Sequence, residues 1–241
     1  MNALANAEVG TYVNEFFCCS YQKVATFKIV GRQKQGGNVA TYFCAPDGRV
    51  LHCIAGPVNA GQFLQEAKWV VDTAKKAIAY ASDDGARFKA YMRQAHAQKL
   101  KLESGLAVEP ITFDPPELQN DNDALTYRDP TGRSLAPKLP PPPLDGPDVQ
   151  IKAEELQKRQ FNEAKAPGAA LIRDRAGRTW QLGNQGRVDQ ILAAHCMIKI
   201  EKVYGTIFEN ILGEKISTKP VEVTQPFTWL NQRGERLRPI R

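Results

Sequence analysis

The stretch that decides the fold runs from Gly36 to Val71 and reads GGNVATYFCAPDGRVLHCIAGPVNAGQFLQEAKWVV. Its first part, VATYFC (39–44), is β-branched and aromatic, which predicts a strand. Pro46-Asp47-Gly48 supplies a tight turn, because proline presets φ and glycine accepts a positive φ. The following VLHCIA (50–55) predicts the partner strand. The stretch therefore opens with a β-hairpin.

An amphipathic helix is predicted directly after the hairpin. Gly56-Pro57 ends the second strand, and Asn59 is of the residue type that caps helix N-termini. Apolar residues then recur at helical spacing, while polar residues fall on the opposite, solvent-facing side. The apolar face comprises Phe63, Leu64, Ala67, Val70, Val71 and Ala74, and the polar face comprises Gln62, Gln65, Glu66, Lys68 and Asp72.

Hairpin, Gly-Pro corner and helix together resemble the C-terminal half of a thioredoxin-like domain, over roughly residues 8–80. The resemblance is carried by residues 40–43, 46–51 and 56–60 with Phe63-Leu64. It implies a truncated thioredoxin-like sheet with flanking helices. Enzymes of that family use a C-x-x-C motif and a cis-proline before the hairpin, but this sequence has no C-x-x-C, and Ala40 stands at the proline position. The resemblance therefore implies a non-catalytic member of the family.

Cys18 and Cys19 carry the alternative hypothesis, a thiol-disulfide oxidoreductase. If Cys18-Cys19-Ser20-Tyr21 replaced the C-x-x-C motif, a helix should follow, yet residues 22–30 are β-branched. The alignment that we favour places both cysteines in a strand spanning Phe16–Val30, pointing to opposite faces. It assigns no catalytic residue.

The other cysteines and histidines predict structural roles. Cys44 and Cys53 fall on paired strands and are expected to be buried thiols. His195 and Cys196 were considered as a nucleophile–base pair or as metal ligands, but adjacent helical residues diverge by about 100°. Since no second Cys/His pair has ligand spacing, no metal and no cofactor are predicted. His52 is expected to be a hydrogen-bonded histidine of the sheet.

Proline content divides the chain. Residues 1–104 are predicted to form the truncated thioredoxin-like domain, and 105–150 a proline-rich acidic linker or strap, since ten of the 16 prolines fall there. Residues 151–241 are expected to form a smaller α/β or mostly helical C-terminal domain with one hairpin and a basic extended tail. The predicted fold class is α/β (α+β).

Periodicity predicts the remaining elements. Helices are expected at residues 4–16, 86–103, 151–164, 188–195 and 199–212, and a hairpin at residues 169–182. In the helix at 86–103, Leu100 and Leu102 are assigned to the apolar face. Its outer face is expected to be basic through Lys89, Arg93, Lys99 and Lys101. In the helix at 151–164, Leu156 and Phe161 are expected to face inward.

Charge and composition narrow the range of possible functions. The net charge is +6, with a segment of −5 at residues 107–150 between halves of +5 and +6. No 18-residue apolar run and no secretory signal is present, which predicts a cytoplasmic protein without membrane binding. The preferred function is binding or scaffolding through a homo-oligomer or a protein partner, because a truncated sheet must be covered. The third hypothesis is nucleic-acid association, from the pI near 9.0 and the arginines at 233, 236, 238 and 241.

Overall fold

The structure is a computed structural model that describes residues 3–24, 27–30, 33–35, 37–108, 139–148, 150–217 and 222–224. Within these residues the chain forms six α-helices: α1 (Ala7–Phe16), α2 (Ala60–Ala81), α3 (Gly85–Ser104), α4 (Ala153–Lys165), α5 (Asn184–His195) and α6 (Ile200–Gly205). A π-helical turn, Thr206–Ile211, continues α6. The described strands are β1 (Lys28–Val30), β2 (Gln33–Gln35), β3 (Ala40–Cys44), β4 (Val50–Ala55), β5 (Leu106–Val108), β6 (Leu144–Pro147), β7 (Ala170–Arg173), β8 (Thr179–Leu182) and β9 (Glu222–Thr224). The predicted mixed α/β class is confirmed.

The hairpin and helix of the opening stretch form as predicted. Strands β3 and β4 pair antiparallel, with Ala40 opposite Ala55 and Tyr42 opposite Cys53. Gly48 closes the turn at φ +82°, a value that favours glycine. Asn59 caps α2 in a reciprocal capping box with Gln62, which satisfies two backbone donors at the helix start. The helix therefore begins where the sequence places it.

The sheets are small, and helices cover them. The pairs β3–β4, β5–β6 and β7–β8 are each two-stranded and antiparallel, while β1 pairs with β2 antiparallel and with β9 parallel. One hydrophobic cluster joins α1, β3, β4 and α2 around Phe43, Ile54 and Ala67. A second cluster joins β4, α2 and α3 to α5 and α6. Residues from both sides of the proline-rich segment thus share one core, whereas the division into two domains stays a prediction.

The strap interpretation concerns residues 105–150, of which 105–108, 139–148 and 150 are described. The Leu139 amide donates to Thr206 Oγ1, and the backbone carbonyls of Pro140 and Pro142 lie 2.9 and 2.8 Å from His195 Nε2 and Gln190 Nε2. Leu144 is buried beside Leu100 and Leu106. This end of the segment is therefore fastened to α5 and to the core.

Several sequence expectations are wrong. Residues 17–24 contain no strand, whereas residues 28–30 at the far end of the predicted strand form β1, so Cys18 and Cys19 lie exposed in irregular chain after α1. Phe161 does not face inward but is 60% exposed, as is Leu102 at 63%. Glu66 and Lys99 do not face solvent, since their side chains are 15% and 8% exposed. The arginine tail lies outside the described residues.

None of the helices in the described part of the chain is both long and apolar enough to cross a lipid bilayer.

Candidate functional site

A buried ionic network lies where α2, α3 and α5 meet β4. Its members are His52, Glu66, His96, Lys99 and Asp189. The side chains of His52, His96 and Asp189 are fully buried, and those of Lys99 and Glu66 are 8% and 15% exposed. Burial of five ionisable groups costs free energy unless they neutralise one another, so their contacts define the charge state of the site.

Asp189 binds both cations of the network. Its Oδ1 atom lies 2.8 Å from His96 Nδ1, and its Oδ2 atom lies 3.3 Å from Lys99 Nζ. Burial alone would raise the pKa of Asp189, but Lys99 and His96 hold it below the usual range of a carboxyl group. Asp189 is therefore a carboxylate.

His96 is an imidazolium. Its Nδ1 atom faces the Asp189 carboxylate, and its Nε2 atom lies 2.9 Å from the backbone oxygen of Leu51. Both partners can only accept, so both ring nitrogens must carry a proton. Burial alone would lower the pKa of His96, but its hydrogen bonds to Asp189 and Cys196 raise it to about 10.

Glu66 and Lys99 complete the network. Lys99 Nζ donates to both carboxylate oxygens of Glu66, at 3.1 and 2.9 Å. His52 Nε2 lies 2.8 Å from Glu66 Oε2, whereas His52 Nδ1 is buried without a hydrogen-bond partner. Burial lowers the pKa of His52, so this ring is neutral and donates through Nε2. Two carboxylates, Glu66 and Asp189, thus balance two cations, Lys99 and His96.

Above the network, a surface groove of about 300 Å³ runs between α2 and α3. The Trp69 ring forms part of its wall and contacts the rings of His52 and His96, with centroids 4.9 and 5.0 Å apart. Lys99 Nζ lies 5.3 Å from the centroid of the same indole, within the range of a cation–π contact. The groove lining comprises Gln65, Glu66, Trp69, Thr73, Lys76, Tyr91, Ala95, Gln98, Lys99, Leu102 and Glu103.

Glu103 differs from the other carboxylates of this region. Its side chain is 43% exposed, and its Oε1 atom lies 3.6 Å from Lys99 Nζ. Burial and the negative charges of Asp189, Glu66 and Glu163 raise its pKa to about 7, although Lys99 acts in the opposite direction. Glu103 is thus a carboxylate in excess of the balanced four.

A metal ion does not fit this network. His52, His96 and Asp189 bring ligand-type atoms within 4.8 Å of one another. However, both nitrogens of His96 donate hydrogen bonds, which leaves no lone pair for a metal. The Lys99 ammonium also lies 3.3 Å from Asp189 and would repel a divalent cation. We assign the cluster to structural ion pairing.

The cysteines considered from the sequence are all free thiols. Cys196 is fully buried, and its thiol lies 3.4 and 3.5 Å from the backbone oxygens of Leu51 and Val50. It lies beside His96 of α3 rather than pairing with the adjacent His195, whose Nε2 contacts the Pro140 carbonyl. Cys44 is half-buried and Cys53 is buried. Cys53 and Cys196 are therefore shielded from solvent, and Cys44 is partly so.

Sequence reasoning missed the network because it assigned Glu66 and Lys99 to solvent-facing surfaces. Lys99 is 8% exposed, which contradicts its place on the predicted basic face of α3. Asp189 gave no signal in the sequence, because its polar neighbours Arg187 and Gln190 hide the fact that residues 188–192 are all buried. A carboxylate in a run that is buried all round needs a buried cation.

Comparison with known proteins found no matching family model and no significant match among curated proteins or solved structures.

Proposed function

We propose that this chain is a non-catalytic binding protein that holds its ligand in the groove between α2 and α3. The observation that carries the proposal is the buried network beneath the groove, which ties both groove helices to β4 and α5. Its groups are engaged with one another, so they fix the geometry of the groove rather than react. The lining combines charged and amide side chains, which can hydrogen-bond a ligand, with the rings of Trp69 and Tyr91, which can stack against one.

The thioredoxin-like origin of the β3–β4 hairpin and α2 stays part of this proposal, supported by the hairpin, the Gly56-Pro57 corner and the capped helix. Self-association also stays part of it. Large apolar side chains are exposed at several places on the described surface, such as Tyr80 at 62% and Leu171 at 70%, and a second copy could cover them.

A fragment-binding experiment tests the groove. With ¹⁵N-labelled protein and a library of small molecules of varied charge, we expect binders to shift the indole signal of Trp69 and the amides of α2 and α3. Gln98→Trp should abolish these shifts, because Gln98 is exposed and lines the groove. The matched control is Gln94→Trp, which lies one turn away on α3 at an exposed position outside the lining, and should bind like the wild type.

The proposal fails if no fragment shifts groove signals or if Gln98→Trp binds as well as Gln94→Trp. Light scattering on the same samples reports whether the chain is a dimer, and a strict monomer removes self-association.

The oxidoreductase is the second candidate, favoured by the exposure of Cys18 and Cys19. Both follow the C-terminal end of α1, whereas reactive thiols of this kind use a helix N-terminus or a neighbouring cation. We therefore expect them to react with a disulfide reagent at neutral pH as free cysteine does. A rate about tenfold higher or more, lost in Cys18→Ser or Cys19→Ser, would favour the oxidoreductase instead.

Nucleic-acid association is supported less well. The arginine tail lies outside the described residues, and Lys99 is withdrawn from the basic face of α3 into the buried network.

A further inference from the structure

The charges at the groove leave one carboxylate uncompensated. Lys99 and His96 are balanced by Glu66 and Asp189, as the hydrogen bonds show. Among the cations of the described residues, Glu103 pairs with the Lys99 ammonium, at 3.6 Å, and that ammonium already donates to Glu66 and Asp189. The Glu103 carboxylate therefore retains most of its capacity to accept hydrogen bonds.

The excess negative charge of Glu103 lies at the surface of the groove. It lines the groove and is 43% exposed, while Glu66 and Asp189 are largely or fully buried. Glu163, a further carboxylate that acts on Glu103, accepts from the Gly183 amide elsewhere. Among the described carboxylates of the network and its surroundings, Glu103 is thus the one that a ligand can reach.

The two ends of the groove also differ in charge. Glu66 and Lys76 both line it from α2. They lie ten residues apart, which corresponds to about 15 Å along a helix. Lys76 adds positive charge at its end of the groove, whereas at the other end Glu66 is paired with Lys99 and Glu103 adds a net negative charge. The indole of Trp69 lies on the same wall, and aromatic rings attract organic cations.

We propose that the Glu103 end of the groove binds the ammonium or guanidinium group of a ligand. This inference rests on the proposed binding function and names its ligand chemistry. A bound cation pairs with Glu103 in a charge-assisted hydrogen bond and removes the excess negative charge. A proton on Glu103 does the same, so protonation and ligand compete. Because the pKa of Glu103 is about 7, the affinity for a cation rises as the pH increases to 8.

Argininamide and citrullinamide, both Nα-acetylated so that neither carries an α-ammonium, test the assignment, because they differ in charge but little in shape. Binding is followed by the ¹⁵N indole signal of Trp69 at pH 8. We expect argininamide to bind at least about tenfold more tightly than citrullinamide, as one charge-assisted hydrogen bond accounts for such a difference. The preference should disappear in Glu103→Gln. It should persist in Glu154→Gln, an exposed glutamate of α4 that serves as the matched control.

Two further measurements test the pH dependence of binding and the source of the cation. Argininamide should bind about tenfold more weakly at pH 6 than at pH 8, because Glu103 is then mostly protonated. This pH effect should be absent in Glu103→Gln. A capped Gly-Arg-Gly peptide distinguishes the source of the cation: tighter binding than argininamide assigns a side chain of a protein partner, and weaker binding assigns a free amine or guanidine.

The assignment is overturned if citrullinamide binds as tightly as argininamide or if Glu103→Gln retains the preference. In that case neutral or anionic fragments that bind the wild type but not Gln98→Trp would leave the proposed groove intact. If no probe of any charge shifts the groove signals, the proposed function fails as well.

Discussion

Replacing Asp189 by alanine is expected to destabilise the fold by about 3–5 kcal/mol, the range measured when one partner of a buried ion pair is removed. The carboxylate is fully buried and binds His96 and Lys99 through separate oxygens. Without it, Lys99 keeps only Glu66 as a buried partner, and His96 loses the carboxylate that holds its second proton. Urea-induced unfolding at pH 6.5 measures the loss as a difference in the free energy of unfolding.

Comparison with other variants separates charge from packing. Asp189→Asn keeps the volume of the side chain but removes its charge. It should therefore show most of the loss in the free energy of unfolding that is expected for Asp189→Ala. Asp83→Ala is the control: Asp83 is exposed before α3, and its replacement should change the free energy of unfolding by less than about 0.5 kcal/mol. If Asp189→Ala falls in that same small range, the network does not stabilise the fold.

A double-mutant cycle tests whether Lys99 and Asp189 act as a pair. Each single replacement breaks the contact between Lys99 Nζ and Asp189 Oδ2, so the double variant, Lys99→Met in the Asp189→Asn background, loses that contact only once. The double variant should therefore be more stable than the sum of the two single losses predicts, by about 0.5–3 kcal/mol. Additive losses would show that Lys99 and Asp189 act independently.

Local sequence signals were sufficient to predict the strands, the turn and the helix start of the stretch from Gly36 to Val71. The strands at 39–44 and 50–55, the turn at Gly48 and the cap at Asn59 all depend on neighbours within a few residues, and each is confirmed. The assignment of Cys18 and Cys19 to a strand failed because their β-branched neighbours gain no partner strand at residues 17–24. Strand propensity reflects packing against a neighbouring strand.

The candidate site could not be located from periodicity, because its contacts join distant residues. Lys99 meets Glu66 across 33 positions and Asp189 across 90, and His96 meets Asp189 across 93. On a helical wheel, Glu66 and Lys99 belong to polar faces, so periodicity assigns them to solvent. Their burial becomes visible only once α5 has brought Asp189 between the helices. Asp189 itself stood out no better, because Arg187 and Gln190 beside it are polar although residues 188–192 are all buried.

The free energy of unfolding is expected to fall as the pH rises above 6.5. The slope is about 1.4 kcal/mol per pH unit where the folded state binds one proton more than the unfolded state. The pKa of His96 is about 10 in the folded protein and near its ordinary value of 6.5 in the unfolded chain. A raised pKa in the folded state contributes stability that is fully present below pH 6.5 and is lost as the pH rises toward 10.

The other titrating groups define the window in which His96 can be observed. Burial lowers the pKa of His52. Burial alone would raise the pKa of Asp189, but Lys99 and His96 lower it. A lowered pKa in the folded state means that protonation of either group reduces stability only when the pH falls. The pKa of Glu103 and of Glu163 is raised by burial, so each adds a decline that begins near pH 4.5. Burial also raises the pKa of Cys44 and Cys53, which contribute once unfolded thiols ionise near pH 9. Free energies of unfolding should therefore be compared between pH 6.5 and 8.5.

Asp189→Asn serves as the control for this pH dependence, because the Asp189 carboxylate hydrogen-bonds the proton on Nδ1 of His96. Without that carboxylate, burial lowers the pKa of His96 again, and the ring becomes neutral in the folded protein. The decline between pH 6.5 and 8.5 should then flatten, although the variant is less stable at every pH. Glu103→Gln should keep the decline in this window, since His96 retains both acceptors. A wild-type profile as flat as that of Asp189→Asn would mean that His96 is not the buried imidazolium that its two acceptors require.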